Sequence, residues 1–223
     1  MDIPWLSSLQ GSLIVSCQAL AHEPLHSPEI MARMARAAQE GGAAGIRANG
    51  PADIRAIKAV VDLPVIGLFK EGSGGVFITP TRSHVDGLIA AGADMIAMDG
   101  TGRPRPNGES LADLITTAHA GKIPVMADIS TVEEGLAAVA HGADLVATTL
   151  SGYTEYSRQQ EDPDFDLITR LNEALAVPVF AEGRISTPAH ARRALDAGAF
   201  AVVVGGAITR PQQITRTFVE GLS

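Results

Sequence analysis

The chain has 223 residues, of which 46% are hydrophobic and 19% are charged, and it carries a formal net charge of −8 at pH 7. This length and this apolar share suit one domain with a large core, so we expect a single domain over residues 1–223. The acidic balance and the scattered Lys and Arg residues argue against a nucleic-acid-binding surface, and no apolar run is long enough to span a membrane. We therefore expect neither nucleic acid nor a membrane as a partner.

Cysteine usage and the N-terminal residues bear on the cellular compartment. Cys17 is the one cysteine, which excludes an internal disulfide and suits a reducing environment. Residues 1–5 lack the basic region and the apolar core of a secretory signal. The sequence thus predicts a cytoplasmic protein.

Short apolar runs rich in Val and Ile alternate with Ala-rich amphipathic segments along the chain. The apolar runs predict β-strands at 13–17, 45–48, 65–69, 95–98, 125–128, 145–147, 179–181 and 201–204. They lack the period-2 alternation of a half-exposed strand, which favours parallel strands buried on both faces. The segments between them predict helices, with Ser27 and Thr187 as N-caps before a proline. Thr131 and Glu134 have the spacing of a capping box.

Two dipeptides mark the starts of these strands. Pro-Val begins three of the runs, at Pro64, Pro124 and Pro178. Gly-Ala precedes four others, with glycines at 42, 92, 142 and 198, which are 50 (92−42), 50 (142−92) and 56 (198−142) residues apart. A repeat of this length holds two strand–helix units, so the chain predicts eight units and an α/β fold, a (β/α)8 TIM barrel. An open doubly wound sheet is the alternative, but the first strand–helix turn lacks the Gly-x-Gly-x-x-Gly motif typical of that fold.

Polar residues follow almost every predicted strand. In a barrel of this kind the active site lies at the C-terminal ends of the strands. Those ends carry Gln18, Arg47, Lys70, Asp99, Asp128, Thr148 with Thr149, and Glu182. The opposite ends carry Pro, Ala and Gly, and this asymmetry predicts the active site at the polar rim.

Lys70 and Glu182 are the candidate catalytic residues. Strands three and seven are four apart in a ring of eight, so the two side chains face each other across the barrel mouth. Burial lowers the pKa of a lysine and makes its amine available as a base or a Schiff-base former. Glu182 is a second acid/base or the ion-pair partner of Lys70 or Arg184. Asp128 has two open roles, direct catalysis or orientation of Lys70 or a neighbouring arginine.

A phosphate site is predicted after the last two strands. Gly183 follows strand seven, and Gly205 and Gly206 follow strand eight, where barrels commonly bind phosphate on backbone N–H groups. Arg210 lies four residues beyond and is placed to clamp the anion. The other interpretation is that these glycines serve the strand–helix turns. Arg47 likewise has two interpretations, a ligand for substrate or a partner for a neighbouring carboxylate.

The histidine pattern argues against a metal site. None of the six histidines ends a predicted strand, and the chain has no His-x-His or His-Glu-x-x-His motif. We therefore expect no metal. The longer loops at 71–81 and 151–163 follow strand C-termini and predict lids or site walls, with Tyr153 and Tyr156 in the second.

Several segments have a pattern typical of a known family, including Gly67-Leu68-Phe69-Lys70 and Ala181-Glu182-Gly183-Arg184-Ile185. The other matching segments are 14–19, 45–50, 77–81, 126–131, 148–154 and 204–211. On these segments the chain resembles the N-acylglucosamine-6-phosphate (N-acetylmannosamine-6-phosphate) 2-epimerases. The resemblance implies a cofactor-independent barrel that interconverts N-acetylmannosamine 6-phosphate and N-acetylglucosamine 6-phosphate in sialic acid and amino-sugar catabolism. It implies proton transfer by Lys70 and Glu182, sugar binding by Gln18, Arg47 and Asp128, and phosphate binding by Arg210.

The sequence therefore predicts an isomerase that acts on a phosphorylated amino sugar by deprotonation and reprotonation at C2. Two alternatives remain. One is a Schiff-base lyase or synthase that uses Lys70 as a nucleophile on a phosphorylated substrate, and the other is a phosphosugar-binding barrel without catalysis. The amphipathic segment 211–222 predicts a homodimer, with this segment in the interface.

Overall fold

The protein is a closed β-barrel surrounded by helices. The computed structural model describes residues 3–72 and 74–222; residues 1, 2, 73 and 223 of the predicted domain lie outside the described residues. Parallel strands pair in sequence order around the barrel, and β1 closes on β8. The strands are β1 Leu13–Cys17, β2 Gly45–Asn49, β3 Val65–Leu68, β4 Met95–Asp99, β5 Val125–Asp128, β6 Leu145–Ala147, β7 Val179–Ala181 and β8 Ala201–Val204. The predicted (β/α)8 TIM barrel is confirmed.

Helices follow the strands on the outside of the barrel. They are α1 Pro28–Glu40, α2 Gly50–Lys58, α3 Arg82–Ala91, α4 Leu111–Ala120, α5 Val132–Ala140, α6 Phe165–Ala174, α7 Pro188–Asp196, α8 Gly206–Thr209 and α9 Pro211–Glu220. Short 3-10 helices lie at Leu6–Leu9, Pro106–Gly108 and Thr148–Leu150. No helix among residues 3–72 and 74–222 is long and apolar enough to cross a membrane.

The predicted strand ends agree with the structure to within one residue. Strand β3 is one residue shorter than predicted, because the chain beyond Leu68 pairs with its own loop rather than with β4. Thr79 N–H donates to the Phe69 carbonyl at 2.7 Å, Glu71 N–H donates to the Phe77 carbonyl at 3.0 Å, and Lys70 forms a bridge with Ile78. The predicted wall loop 71–81 thus begins as an antiparallel turn beside Lys70.

Two apolar layers account for the missing period-2 pattern of the strands. One layer fills the barrel and includes Ile14, Ile66, Met126, Phe180 and Val203. The other lies between the strands and the helices and takes the alternate residues, such as Val15, Ile46, Ala127 and Val179. Both faces of each strand are buried, so both carry apolar residues.

The Pro-Val and Gly-Ala signals have a structural role at the strand starts. The carbonyls of Pro64, Pro124 and Pro178 accept the N–H groups of Ile46, Ile96 and Val146 at 3.0, 2.9 and 3.2 Å. A proline needs no donor there, because its carbonyl alone joins the neighbouring strand. Gly92 ends α3 with a φ of 82°, a left-handed conformation that glycine adopts without strain.

The capping box predicted at Thr131 forms only in part. Thr131 Oγ1 accepts the Glu134 N–H at 3.2 Å, as expected. Glu134 Oε2 accepts the N–H of Ser130 at 2.8 Å and its hydroxyl at 2.7 Å, rather than the N–H of Thr131. The reciprocal half of the motif therefore falls one residue before the N-cap. The N-caps predicted at Ser27 and Thr187 are confirmed.

Candidate active site

A cavity of about 550 Å³ opens at the C-terminal ends of the strands. Most of the predicted site residues line it: Gln18, Lys70, Glu182, Gly183, Gly205, Gly206 and Arg210. Lys70 continues the inward-facing alternation from Leu68, and Glu182 continues it from Phe180. The catalytic and phosphate sites predicted from the sequence therefore share one cavity.

Arg47 and Asp128 lie beneath this cavity and are not part of its lining. Their side chains are 1% and 0% exposed, and they form a two-point ion pair of 2.5 Å (Nη2 to Oδ2) and 3.1 Å (Nη1 to Oδ1). Arg47 Nη1 also donates to Glu182 Oε2. Of the two roles left open for each residue, the structure displays the supporting one. Direct substrate binding by Arg47 and Asp128 stays a prediction.

The two oxygens of the Glu182 carboxylate have different environments. Oε2 accepts from Arg47, and Thr149 Oγ1 lies 3.1 Å from it. Oε1 has no protein donor among the described residues, and it belongs to a cavity-lining side chain. Burial raises the pKa of Glu182 to about 7, although the positive charge of Arg47 opposes the rise. Oε1 is therefore the oxygen available to exchange a proton near neutral pH.

Lys70 is held by its backbone and not by its side chain. Its N–H donates to Asn49 Oδ1 at 2.8 Å, whereas Nζ has no hydrogen-bond partner within residues 3–72 and 74–222. Burial lowers the pKa of Lys70 to about 8, and the positive charge of Arg47 acts in the same direction. A substantial fraction of the amine is therefore neutral at mildly alkaline pH.

Gln18 and Ser16 form a polar pair on the β1 side of the cavity. Gln18 Nε2 donates to Ser16 Oγ at 2.7 Å, and both residues are 6% exposed. Gln18 Oε1 is buried and has no hydrogen-bond partner among the described residues. Because an unpaired buried acceptor is costly, a donor on a bound molecule would satisfy it.

The predicted phosphate residues line the cavity at the ends of β7 and β8, and β8 lies beside β1. Within the described residues, the N–H groups of Gly183, Gly206 and Ala207 meet no protein acceptor. Gly183 has a φ of 104°, which favours glycine there. Arg210 also lines the cavity, but its guanidinium is paired with Glu23, from Nε to Oε1 at 2.6 Å and from Nη2 to Oε2 at 3.1 Å.

Comparison with known proteins identifies the family. The model of the family described as "Putative N-acetylmannosamine-6-phosphate epimerase" matches residues 31–223. A Clostridium perfringens relative named "Putative N-acetylmannosamine-6-phosphate 2-epimerase" is 54% identical over 217 residues, which is 96% of this chain and 98% of the relative. A relative with the same name from Caldanaerobacter subterraneus subsp. tengcongensis is 56% identical over 223 residues, covering 98% of this chain and 93% of the relative.

A solved structure gives the same result. It is described as a structural and biochemical characterisation of the N-acetylmannosamine-6-phosphate 2-epimerase from Clostridium perfringens. The TM-score is 0.94 at 53% sequence identity, over 96% of this chain and 95% of that one. The chain belongs to this epimerase family. Membership favours neither the Schiff-base lyase nor the binding-only barrel among the alternatives.

Three polar contacts of this epimerase-family chain were not predicted from the sequence. Thr149 follows a predicted strand, but no sequence pattern indicated that its hydroxyl contacts both Asp128 Oδ1, at 2.7 Å, and Glu182 Oε2. Ser16 lies inside β1, where an isolated serine is easily taken for a core residue. Glu23 lies in the loop that follows β1. A charged residue in that loop, at the rim of the barrel, is the sequence signal that could have identified it.

The predicted rim residue Asp99 does not line the epimerase-family cavity. The Asp99 carboxylate accepts from Thr101 at 2.6 and 2.9 Å and from Arg103 Nη2 at 2.6 Å, so it is used to order the loop after β4. Of the predicted wall residues, Tyr153 lines the cavity, whereas Tyr156 OH donates to Glu134 Oε1 at 2.5 Å. Ser73 of the wall loop 71–81 lies outside the described residues.

Proposed function

We propose that this chain interconverts N-acetylmannosamine 6-phosphate and N-acetylglucosamine 6-phosphate by moving a proton at C2. Membership of the epimerase family and the names of its relatives support this substrate pair. The observation that carries the proposal is the placement of Lys70 and Glu182 on opposite strands of one cavity. Their pKa values are about 8 and about 7, close to the pH at which a general acid and a general base work best.

The chemistry requires the open-chain form of the sugar. In the aldehyde, C2 is α to a carbonyl, and its proton is acidic enough to be removed; in the ring it is not. One of the two groups, Lys70 Nζ or Glu182 Oε1, takes the C2 proton and leaves an enolate. The other returns a proton to the opposite face of C2, which inverts the centre without a net change in atoms or electrons.

We assign binding roles to the remaining residues from their places around the cavity. Gln18 is assigned to hydrogen-bond the sugar, because its buried Oε1 has no partner in the part of the chain that the structure describes. We assign the 6-phosphate to the Arg210 side chain and to the backbone N–H groups of Gly183, Gly205 and Gly206. Hydrogen-bond donors near C1 would stabilise the enolate, and the candidates are the Gln18 amide and the Arg47 guanidinium.

Proton exchange with solvent tests this proposal. The protein is incubated with N-acetylmannosamine 6-phosphate in D₂O, and the reaction is monitored by proton NMR. We expect it to form N-acetylglucosamine 6-phosphate with deuterium at C2. Product without deuterium would contradict deprotonation at C2, and no product would contradict the substrate pair. Borohydride trapping of a covalent adduct at Lys70 would instead support the Schiff-base alternative.

We also propose a homodimer in which residues 211–222 form the interface. Helix α9 has no buried residue, and its apolar Phe218 is 73% exposed, while Leu222 beyond it is 89% exposed. Burying such side chains against a second copy removes apolar surface from water. Light scattering after gel filtration should give twice the chain mass for the native protein and for Leu136→Glu, but the single-chain mass for Phe218→Glu. A native monomer at micromolar concentration would contradict the proposal.

For cellular location, we propose the cytoplasm. Cys17 is a free thiol buried in the outer core layer, and burial raises its pKa to about 12. A protein that relies on no disulfide suits a reducing compartment. Fractionation of the native source should place the protein with the cytoplasmic enzymes rather than with the secreted ones.

A further inference from the structure

The proposed phosphate arginine is paired with a carboxylate on another loop. Glu23 lies in the loop between β1 and α1, and its side chain is 10% exposed, while that of Arg210 is 23% exposed. An acidic side chain beside a phosphate site is unexpected, because its charge repels the anion. Its presence therefore calls for a structural reason.

The geometry of the pair leaves part of the guanidinium free. Glu23 binds the side edge of Arg210, where Nε and Nη2 each donate to one carboxylate oxygen. Nη1 and the second hydrogen of Nη2 have no acceptor among the described residues. These remaining hydrogens form the end-on edge of the guanidinium, a fork that fits two phosphate oxygens.

Glu23 is itself held in place by groups other than Arg210. Leu20 N–H donates to Oε2 at 2.7 Å, and Gln212 Nε2 donates to Oε1 at 3.1 Å. The loop turns back on itself, with Glu23 N–H donating to the Leu20 carbonyl at 2.8 Å. A carboxylate with these donors is a fixed support and does not depend on Arg210 to stay in position.

The charge state of Glu23 agrees with this support. Burial alone would raise the pKa of Glu23. The hydrogen bonds from Arg210 and from Leu20 N–H have a larger combined effect in the other direction, so the pKa is below its usual value. Glu23 is thus ionised at neutral pH. The pair holds the guanidinium by its side edge, and Arg210 is one of the residues that line the cavity.

We propose that Glu23 is a positioning residue that aims the free edge of Arg210 at the phosphate group of the substrate. The inference rests on the proposed function, which supplies the phosphorylated substrate. Glu23 does not contact the substrate in this proposal, and it acts through Arg210. Its benefit, an arginine ordered before the anion arrives, outweighs the repulsion between its charge and the phosphate.

The variant Glu23→Gln tests the proposal, because it keeps the side-chain shape but replaces one acceptor oxygen with an amide NH₂. We expect KM for N-acetylmannosamine 6-phosphate to rise about tenfold with kcat within about twofold of native, since charge-assisted hydrogen bonds are roughly twice as strong as neutral ones. The matched control is Glu29→Gln, which removes an exposed carboxylate paired with Arg33 on α1 and should change neither constant. A lower KM for Glu23→Gln would mean that Glu23 competes with phosphate, and an unchanged KM would mean that it has no part in binding; either result overturns the proposal.

Two further measurements separate this proposal from loss of structure and from the proposed function. In an Arg210→Ala background, adding Glu23→Gln should leave KM unchanged, because the residue through which Glu23 acts is gone; an additional rise would overturn the proposal. Calorimetric titration with inorganic phosphate should show weaker binding to Glu23→Gln than to the native chain, and this holds even if the native chain fails to epimerise the sugar. Should Glu23→Gln not fold, Gln212→Met removes one support of Glu23. It should raise the phosphate Kd about twofold, less than a direct hydrogen bond would contribute, because Gln212 acts on the phosphate only through Glu23 and Arg210. An unchanged Kd would overturn the proposal.

Discussion

The two sides of the cavity support their reactive groups in opposite ways. On the β7 side, the Glu182 carboxylate contacts Arg47 and Thr149, and Asp128 lies behind both. On the β3 side, Lys70 Nζ has no hydrogen-bond partner among the described residues. The structure thus orients the carboxylate before substrate binds and leaves the amine free to take its direction from the substrate.

The same physical cause nevertheless brings both groups toward neutral pH. Burial raises the pKa of Glu182 to about 7 and lowers that of Lys70 to about 8, because it disfavours the charged form of each. The charge of Arg47 and the hydrogen bond from Thr149 oppose the effect of burial on Glu182, whereas Lys70 Nζ has no hydrogen-bond partner among the described residues. Burial therefore decides the direction of both pKa shifts, whether or not hydrogen bonds hold the side chain.

Removing Arg47, which supports Glu182 and Asp128, should have the largest effect, and that effect is on stability. Arg47→Met leaves Asp128 buried without its partner, and we expect the free energy of unfolding to fall by about 3–5 kcal/mol. Lys70→Met removes a half-buried ammonium that has no hydrogen-bond partner among the described residues, so its free energy of unfolding should be equal to or above the native value. Urea denaturation of both variants measures the contrast. Equal losses in the two variants would mean that the two sides are supported alike.

Removing either reactive group should have the next largest effect, on turnover. Lys70→Met and Glu182→Gln should each lose at least about a hundredfold in kcat, because a positioned acid or base contributes about 10²–10⁴ in rate. Circular dichroism should show both variants folded. Near-native turnover in one of them would remove that residue from the proton-transfer step.

The fold was predictable because its signals are local. A proline that starts a strand, such as Pro64, or a glycine that ends a helix, such as Gly92, acts within a few residues of its own position. These signals located the ends of β3 and β7 to within one residue, and the barrel geometry then placed Lys70 opposite Glu182. One local prediction, the capping box at Thr131, was wrong in its reciprocal half, because Ser130 offers Glu134 two donors.

The support beneath the site was not predictable because its partners are distant in sequence. Arg47 and Glu182 are 135 residues apart, and Arg210 and Glu23 are 187 residues apart. A pattern read along the chain shows a polar residue at each strand end, but it does not show which two will pair. Arg47 and Asp128 are 81 residues apart. The sequence left open substrate binding for Arg47, direct catalysis for Asp128 and a supporting role for each, and the structure displays the supporting role.

The pH dependence of activity should reflect both groups. Proton transfer across C2 needs one group protonated and the other deprotonated, and this holds whichever of the two acts as the base. With pKa values of about 7 and about 8, kcat/KM should follow a bell with its maximum midway, at about pH 7.5. Below the lower pKa and above the higher one, kcat/KM should fall roughly tenfold for each pH unit. A profile that is flat from pH 6 to 9 would contradict the assignment of Lys70 and Glu182.

The smallest predicted effect is a shift of the acidic limb of the pH profile that leaves the basic limb in place. The Thr149 hydroxyl contacts Glu182 Oε2, and its hydrogen bond lowers the pKa of that carboxyl. Thr149→Val should move the acidic limb up by at most about one pH unit, because a neutral hydrogen bond contributes about 0.5–1.5 kcal/mol and one unit is about 1.4 kcal/mol. The basic limb, which reports Lys70, should stay in place.

The matched control for Thr149→Val is Thr148→Val. Among the described residues, Thr148 Oγ1 forms hydrogen bonds only with the backbone of Glu182, donating to its carbonyl at 2.9 Å and accepting its N–H at 3.1 Å. Its loss should lower stability and leave both limbs where they are. Movement of both limbs in Thr149→Val would show that the two reactive groups are coupled more tightly than their separate supports imply.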